Sequence, residues 1–236
     1  MSSVGREAFE QAVAEYRLEG IEVPKPAAEV AENSLAATGL VLAGEAHGVE
    51  QTPRAVLALA RRLDVDALGF EWSWDQFDHV VQPVLTTGRV DRDALWSLPA
   101  DAEAFSGDGR FTAGHVRLLE EVAGRLEAVV CVDVLESATL QAREDAMAAR
   151  ILGALAPGRR LLAVVGSWHA GGRAADGIEP AGTLLRRELP GLRTVLLAPG
   201  PGMSWSRGER AVGSDPVRLD AELPIGPARP AVVPHM

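Results

Sequence analysis

Four hydrophobic runs in this chain each end in a cluster of polar residues, and this recurrence constrains the fold more than any other feature. The runs are GLVLAGEAHG at 39–48, DALGFEW at 66–72, AVVCVDVLES at 128–137 and RLLAVVGSWHA at 160–170. In an open α/β sheet, reactive groups gather beyond the carboxyl ends of the strands. The recurrence therefore predicts one shared crevice that contains Glu45, His47, Glu71, Asp133 and His169.

Segments with helical periodicity alternate with these runs. Thr52 and Pro53 suit the start of a helix after the first run. Further helices are predicted from Asp75, near 139–155 and near 181–189, before a last strand at 192–199. Continuous Val, Leu and Ala strands that alternate with helices are typical of parallel sheets. We therefore expect an α/β fold with a largely parallel central sheet and helices on both of its faces.

The 236 residues suit a single α/β domain, because no composition shift divides the chain. An N-terminal helical segment is predicted over 1–35. The strand and helix pattern breaks between Gly88 and Gly114, and we interpret 88–114 as a lid. Several prolines and little periodicity follow Gly200, so 200–236 is predicted to be a tail that wraps the domain.

The formal net charge of −10 argues against nucleic acid and anionic membranes as partners. A phosphate backbone is held by clustered Lys and Arg, which no stretch supplies. A small-molecule substrate is therefore expected. The single cysteine, Cys131, lies in an apolar run and is predicted to be a buried, inert thiol. We see no signal peptide and no run that could cross a bilayer, so a cytoplasmic protein is expected.

The first two polar clusters contain candidate acid–base groups. In GEAHG, Glu45 and His47 are two residues apart and project to the same side of an extended strand. A carboxylate beside an imidazole can orient a general base or supply two metal ligands, and the alternative is a histidine that caps the next helix. Glu71 follows an apolar run, so it needs a cationic or protic partner unless it is a solvated residue at the strand end.

Two arginines and a late histidine extend this set. Arg143 falls on the apolar stripe of the helix near 139–155, so it either reaches a polar site, which we favour, or extends along the helix to solvent. Arg54 lies in a first helical turn, where a cation opposes the helix dipole and calls for an anion, which could belong to a substrate. His169 ends the longest apolar run and faces the same crevice, although a lone histidine there is usually structural.

The loop SGDGRFTAGH at 106–115 is too polar for a core and carries Asp108, Arg110 and His115. These residue types suit substrate contacts or a metal ligand, and the alternative is a surface loop with a turn at Asp108. Trp72 and Trp168 adjoin the motif residues. Either the two indoles form the wall of a substrate pocket or they pack in the core.

The motifs GEAHG, GFEW, REDAMAARIL and VVGSWHA, in this order over roughly residues 39–170, resemble the erythromycin esterase-like superfamily. More distant relatives are haem-binding iron-regulated lipoproteins and Tiki and TraB type proteins. The resemblance implies a site in which a histidine activates water beside a glutamate, with a second glutamate, an arginine and a late histidine. Motif by motif, these roles fall to His47, Glu45, Glu71, Arg143 and His169. Only Ala46 separates the first glutamate and histidine, a spacing closer to the lipoproteins and Tiki-type proteins.

The sequence thus predicts an esterase-like hydrolase that acts on a small or medium organic molecule without a cofactor. His47 would deprotonate water, Glu45 or Glu71 would orient it, and Arg143 and His169 would stabilise the oxyanion. Alternatively, Glu45, His47, Glu71 and His169 hold zinc, manganese or cobalt in a metal-dependent hydrolase. Two further alternatives are a natural-product enzyme for elimination or cyclisation and a haem- or metal-binding protein without turnover.

Overall fold

A computed structural model describes residues 3–134, 137–171, 174, 176–205, 209–212 and 219–236. Residues 135–136 of the third hydrophobic run and parts of the predicted tail therefore lie outside the described residues. The first strand, β1 (Ser3–Val4), pairs in parallel with the final strand Val233–Pro234. The two ends of the described chain consequently lie side by side.

The core of the fold is a six-stranded sheet in which every pairing is parallel. The strands after β1 are β2 (Leu40–Glu45), β3 (Ala67–Ser73), β4 (Ala128–Asp133), β5 (Leu161–Gly166), β6 (Thr194–Gly200), the hairpin strands β7 (Gly202–Trp205) and β8 (Glu209–Val212), β9 (Ala221–Pro227) and β10 (Val233–Pro234). Across the central sheet the order is β4, β3, β5, β2, β6, β9. The predicted α/β class is confirmed.

Helices cover both faces of this sheet. They are α1 (Arg6–Glu15), α2 (Lys25–Thr38), α3 (Thr52–Leu63), α4 (Trp74–Val81), α5 (Val84–Thr87), α6 (Arg92–Trp96), α7 (Ala113–Val122), α8 (Leu140–Ala154), α9 (Ser167–Gly171) and α10 (Ala181–Glu188). Val41 and Ala43 of β2 face one hydrophobic cluster, and Leu40 and Leu42 face the other, as strand alternation requires. None of the helices in the described part of the chain is long and apolar enough to span a bilayer.

Local sequence signals account for several helix boundaries. Thr139 caps α8 by accepting the N–H of Ala142 at 3.1 Å, and Thr112 caps α7 in the same way through His115. Gly39 ends α2 with φ at 74°, a left-handed conformation that glycine adopts without strain. The chain can therefore turn directly from α2 into β2, the first strand that carries site residues.

The structure corrects the prediction for 200–236 as a wrapping tail alone. Strand β9 from this segment is the sixth strand of the central sheet and pairs with β6. Leu223 and Ile225 are buried, whereas their neighbours are more exposed. Prolines at 224 and 227 interrupt the apolar alternation by which strands are recognised. The helix α7 was likewise not predicted.

The segment 88–114 is packed against the domain. Leu95, Phe105 and Phe111 are each buried in the larger hydrophobic cluster. Loop residues that carry buried aromatic side chains are held in place by the core. Movement of this segment as a lid stays a prediction.

Candidate active site

Polar side chains from three strands and two helices converge at the carboxyl edge of the sheet. Glu45 and Asp133 are the last residues of β2 and β4, Glu71 lies near the end of β3, and His169 is carried by α9 directly after β5. Glu45, Glu71, Asp133 and Glu144 of α8 are only 6, 3, 2 and 2 % exposed. Buried carboxylates are costly without partners, so this cluster needs the cations and donors described next.

Glu45 and His47 form the first oriented pair. Nδ1 of His47 lies 2.9 Å from Oε1 of Glu45, and Nε2 lies 3.6 Å from Oε2 of Glu71. Burial by itself lowers the pKa of His47, but the carboxylates of Glu71 and Glu45 outweigh burial and raise this pKa to about 9. His47 is therefore an imidazolium at neutral pH. Burial raises the pKa of Glu45, and the hydrogen bond with His47 opposes this effect.

His169 and Glu144 form a second pair of the same kind. Nδ1 of His169 lies 2.7 and 2.9 Å from the two oxygens of Glu144. Oε2 of Glu144 also accepts the backbone N–H of Ala181, at 2.8 Å. Nε2 of His169 turns the other way and lies 3.4 Å from Oε1 of Glu71. Both imidazoles thus present Nε2 to one shared carboxylate.

Glu71 is the centre of the cluster. Its Oε1 accepts a hydrogen bond from Nη2 of Arg143 at 2.8 Å, and its Oε2 accepts the N–H of Gly166 at 2.6 Å. Burial raises the pKa of Glu71, but the surrounding imidazoles and guanidiniums lower it far below its usual range. The carboxylate is therefore ionised, and its charge is balanced by the cations around it.

Asp133 joins the two guanidiniums of the site. Nε and Nη2 of Arg143 donate to its two oxygens at 2.7 and 2.5 Å, a bidentate pair. Nη1 of Arg110 lies 3.1 Å from Asp133 and 2.9 Å from Glu103, and its Nε lies 3.4 Å from Glu71. Burial lowers the pKa of Arg143, but Asp133 and Glu71 raise it, so the guanidinium stays charged.

Gly166 lets both histidines approach the end of β5. A Cβ atom at this position would lie 3.0 Å from Nε2 of His47, 3.3 Å from Oε2 of Glu71 and 3.3 Å from Cδ2 of His169. These separations are tighter than ordinary van der Waals contact, so a side chain would push the imidazoles and the carboxylate apart. The absence of a side chain is part of the geometry of the site.

The structure brings together the five residues predicted as catalytic, namely Glu45, His47, Glu71, Arg143 and His169. Arg110 joins them, and Asp108 supports it by accepting the backbone N–H of Arg110 at 3.0 Å. The ring of Trp168 lies edge-on to His169, with 5.2 Å between the centroids. The catalytic and substrate-binding roles of these residues stay predictions.

Three of the predicted substrate contacts have partners within the protein, and their role in substrate binding stays a prediction. The anion that balances Arg54 is Glu50, whose Oε1 is 2.5 Å from Nη2 of the guanidinium. Trp72 is 1 % exposed and belongs to the hydrophobic core, where its Nε1 donates to the carbonyl of Arg110 at 2.8 Å. Burial lowers the pKa of His115 to about 3, and its Nδ1 lies 2.9 Å from the hydroxyl oxygen of Thr112. The sequence could not separate these core positions from a pocket wall, because aromatic side chains serve in both.

Glu103, Glu144 and Gly166 were not predicted as site residues. Glu144 is adjacent to Arg143 in REDAMAARIL. The one available signal was its place on a helix that also buries Met147. Glu103 lies in an irregular segment, where no periodicity indicates which side chains turn inward. Its Oε2 accepts the N–H of Ser73 at 2.9 Å, which ties that segment to the end of β3.

The carboxylates and imidazoles of the site are residue types that also ligate metal ions. Among the described residues, no group of three or more His, Cys, Asp or Glu side chains could hold a metal ion. Glu71 already accepts hydrogen bonds from Arg143 and Gly166, and a guanidinium beside a ligating carboxylate competes with a cation. The metal-dependent alternative stays a prediction that experiment can test.

Solved structures of bacterial toxins share this fold. RRSP, a MARTX toxin effector domain from Vibrio vulnificus, is 17 % identical with a TM-score of 0.51, over 92 % of this chain and 41 % of that one. The C-terminal region of Pasteurella multocida toxin is described as having a thiol-protease like catalytic triad. It is 13 % identical with a TM-score of 0.52, and the match covers 93 % of this chain and 28 % of that one. A structure described as bacterial protein toxins is 18 % identical with a TM-score of 0.53, and the match covers 81 % of this chain and 39 % of that one. This chain spans less than half of each of them.

No protein-family model matches the chain, and no curated protein matches it. The assignment to the erythromycin esterase-like superfamily is therefore wrong, because the similar structures are bacterial toxin domains. Short motifs of Gly, Glu and His recur wherever a parallel sheet carries polar groups at its carboxyl edge, so they do not identify a family. At these identities the similarity establishes the fold alone.

Proposed function

We propose that this chain is a hydrolase that activates water by general acid–base catalysis. One observation carries the proposal: the Nε2 atoms of His47 and His169 lie 3.6 and 3.4 Å from the carboxylate of Glu71, while each Nδ1 is held by its own glutamate. Two oriented imidazoles at one place supply the proton donor and the proton acceptor that hydrolysis needs. The shared fold with toxin effector domains supports an enzyme.

The pKa of His47 indicates its role in the reaction. The raised pKa of His47, about 9, makes it a proton donor at neutral pH and a positive group that stabilises an oxyanion. We therefore assign the base to His169, which differs from the assignment of the base to His47 made from the sequence. In the neutral ring, an Nδ1–H donated to Glu144 leaves the lone pair on Nε2 free to accept a proton.

The reaction then has three steps. His169 takes a proton from water, and the oxygen of that water attacks the acyl carbon of an ester or amide. The imidazolium of His47 and the guanidinium of Arg143 stabilise the negative oxygen of the tetrahedral intermediate. His47 finally gives its proton to the leaving group as the acyl bond breaks. His169 then releases to solvent the proton that it took from water, and His47 takes up a proton from solvent, which restores the starting state.

Water is the proposed nucleophile because the chain offers no reactive thiol. Cys131 is the only cysteine, it is fully buried in β4, and burial raises its pKa. A nucleophilic cysteine needs an exposed position and a lowered pKa. The thiol-protease like triad described for Pasteurella multocida toxin is therefore not part of this proposal.

The substrate proposal covers two classes that share an acyl carbonyl. The sequence favoured a small organic molecule, and the thiol-protease like triad described for the similar Pasteurella multocida toxin adds peptide bonds to the candidates. The exposed fraction of the side chain is 22 % for His47 and 13 % for His169, so both rings reach solvent at the edge of the sheet. We expect turnover of an activated acyl ester or of a peptide bond.

The test uses a panel of p-nitrophenyl acyl esters and a fluorescence-quenched peptide library, with product oxygen traced in H₂¹⁸O. We expect ¹⁸O in the carboxylate product and a loss of at least about 100-fold in His47→Ala and His169→Ala. His79→Ala is the matched control, because His79 is an exposed histidine on α4. Turnover without ¹⁸O would favour the elimination or cyclisation alternative, and equal turnover in all three variants would refute the site.

A further inference from the structure

Glu144 is a buried carboxylate that the proposed reaction does not itself consume. It is 2 % exposed, it lies on α8, and it receives hydrogen bonds from two other helices. One comes from Nδ1 of His169 on α9, and the other comes from the backbone N–H of Ala181 at the start of α10. A carboxylate in this position is a fixed acceptor, so its partners must present protons to it.

We propose that Glu144 is a positioning residue that selects the reactive nitrogen of His169, an inference that rests on the proposed function. A neutral imidazole carries one proton, and a carboxylate 2.7 Å from Nδ1 holds that proton on Nδ1. The lone pair of Nε2 is then directed at the site beside Glu71. Without Glu144, the proton would settle on Nε2 and the base would be lost.

The contact with α10 fixes the carboxylate itself. The N-cap residue of α10, Pro180, has no side-chain acceptor, so Glu144 accepts the N–H of Ala181 in the first turn of the helix instead. Gly182 lies so close to the carbonyl of Ala170 that a Cβ there would be 2.0 Å from its oxygen. Helices α9 and α10 are thus in close contact beside the carboxylate of Glu144, which bonds to His169 on one helix and to Ala181 on the other.

The substitution Glu144→Gln separates orientation from simple packing. The glutamine has nearly the same shape, and its single amide oxygen can accept the N–H of Ala181. Its NH₂ group then faces Nδ1 of His169 and donates to it, so the proton of the ring moves to Nε2. In serine proteases, replacement of the orienting carboxylate by an amide gives the wrong tautomer and lowers kcat by about 10⁴-fold.

The experiment is ¹⁵N NMR of the imidazole rings in the full chain without substrate. We expect the neutral form of the His169 ring to carry its proton on Nδ1 in the unaltered chain and in Glu144→Asp, and on Nε2 in Glu144→Gln. Asp145→Asn is the matched control, because Asp145 is the exposed neighbour on the same helix and contacts Gln141. It should leave the tautomer unchanged.

A proton on Nε2 in the unaltered chain would overturn the proposal, and that spectrum is available even if Glu144→Gln does not fold. An unchanged tautomer in folded Glu144→Gln would overturn it as well. Where a substrate is found, kcat should fall by about 10³–10⁴-fold in Glu144→Gln with little change in KM. Because the NMR test needs no turnover, a failure of the proposed hydrolysis would be recognised separately.

Discussion

Replacing Glu71 with Gln should move the pKa of His47 by several units, because it removes the charge nearest to Nε2. At 3.6 Å, and with an effective dielectric constant of about 20, one carboxylate stabilises the imidazolium by about 4–5 kcal/mol, or about three pKa units. We therefore expect the pKa of His47 to fall from about 9 to about 6 in Glu71→Gln. The carboxylate of Glu45 remains and keeps the pKa from falling further.

The assay is a ¹H–¹³C NMR titration of the histidine Cε1 signals, assigned by comparison with His47→Ala. Asp108→Asn is the control, because it removes one negative charge that contacts Arg110 and should shift the pKa of His47 by less than about half a unit. In a rate profile, the falling alkaline limb should move toward acid in Glu71→Gln by the same amount.

Stability must be measured in the same variant. Loss of Glu71 leaves Arg143 with Asp133 alone, and breaking a buried charge pair costs about 3–5 kcal/mol. If Glu71→Gln does not fold, Glu45→Gln tests the same electrostatic argument through the contact at Nδ1. An unaltered chain in which His47 titrates at or below about 6.5 would refute the reasoning, as would a folded Glu71→Gln that titrates within half a unit of it.

Three further predictions concern space, pH and metal. Gly166→Ala should lower kcat by about 10–100-fold with a small change in Tm, because its methyl group would separate the two imidazoles; unchanged kinetics would contradict this. His115 is neutral when folded, since its pKa is lowered to about 3, so the free energy of unfolding should fall by about 3 kcal/mol as the pH drops from about 6.5 to 4. The free energy of unfolding, measured by urea titration at each pH, should depend less steeply on pH in His115→Gln than in the unaltered chain. An equal dependence on pH would argue against a neutral His115 ring. Exhaustive chelation should leave turnover within about twofold, whereas a loss restored by zinc, manganese or cobalt would support the metal-dependent alternative.

The main strands and the central cluster could be predicted because both depend on short-range pattern. The first run, 39–48, contains β2 at Leu40–Glu45, where all six residues are buried. An uninterrupted apolar run of this kind is recognisable from the sequence alone. Parallel strands end at one edge, so the polar residues after them had to meet. Arg143 was predicted for a similar reason, because a charged side chain on a buried stripe requires a carboxylate, which Asp133 provides.

The remaining features depend on contacts that distant segments make with one another. Glu144 contacts His169 and Ala181, and helical periodicity alone does not reveal which helices pack on that face. Strand β9 pairs with β6 across the hairpin between them, and its prolines obscure the alternation. The pKa of His47 could be anticipated in direction from its two carboxylates, but its size depends on distances that only the fold provides.

The pairing of β1 with β10 makes the beginning and the end of the described chain neighbours. Ser3 is in register with Val233, and the N–H of His235 donates to the carbonyl of Val4 at 2.8 Å. A short glycine–serine bridge could therefore join the two ends without disturbing the sheet, and a circular permutant opened in a surface loop should keep the fold. For the same reason, a host polypeptide could carry this fold as an insertion within one of its own loops, since the chain enters and leaves at a single point on the surface.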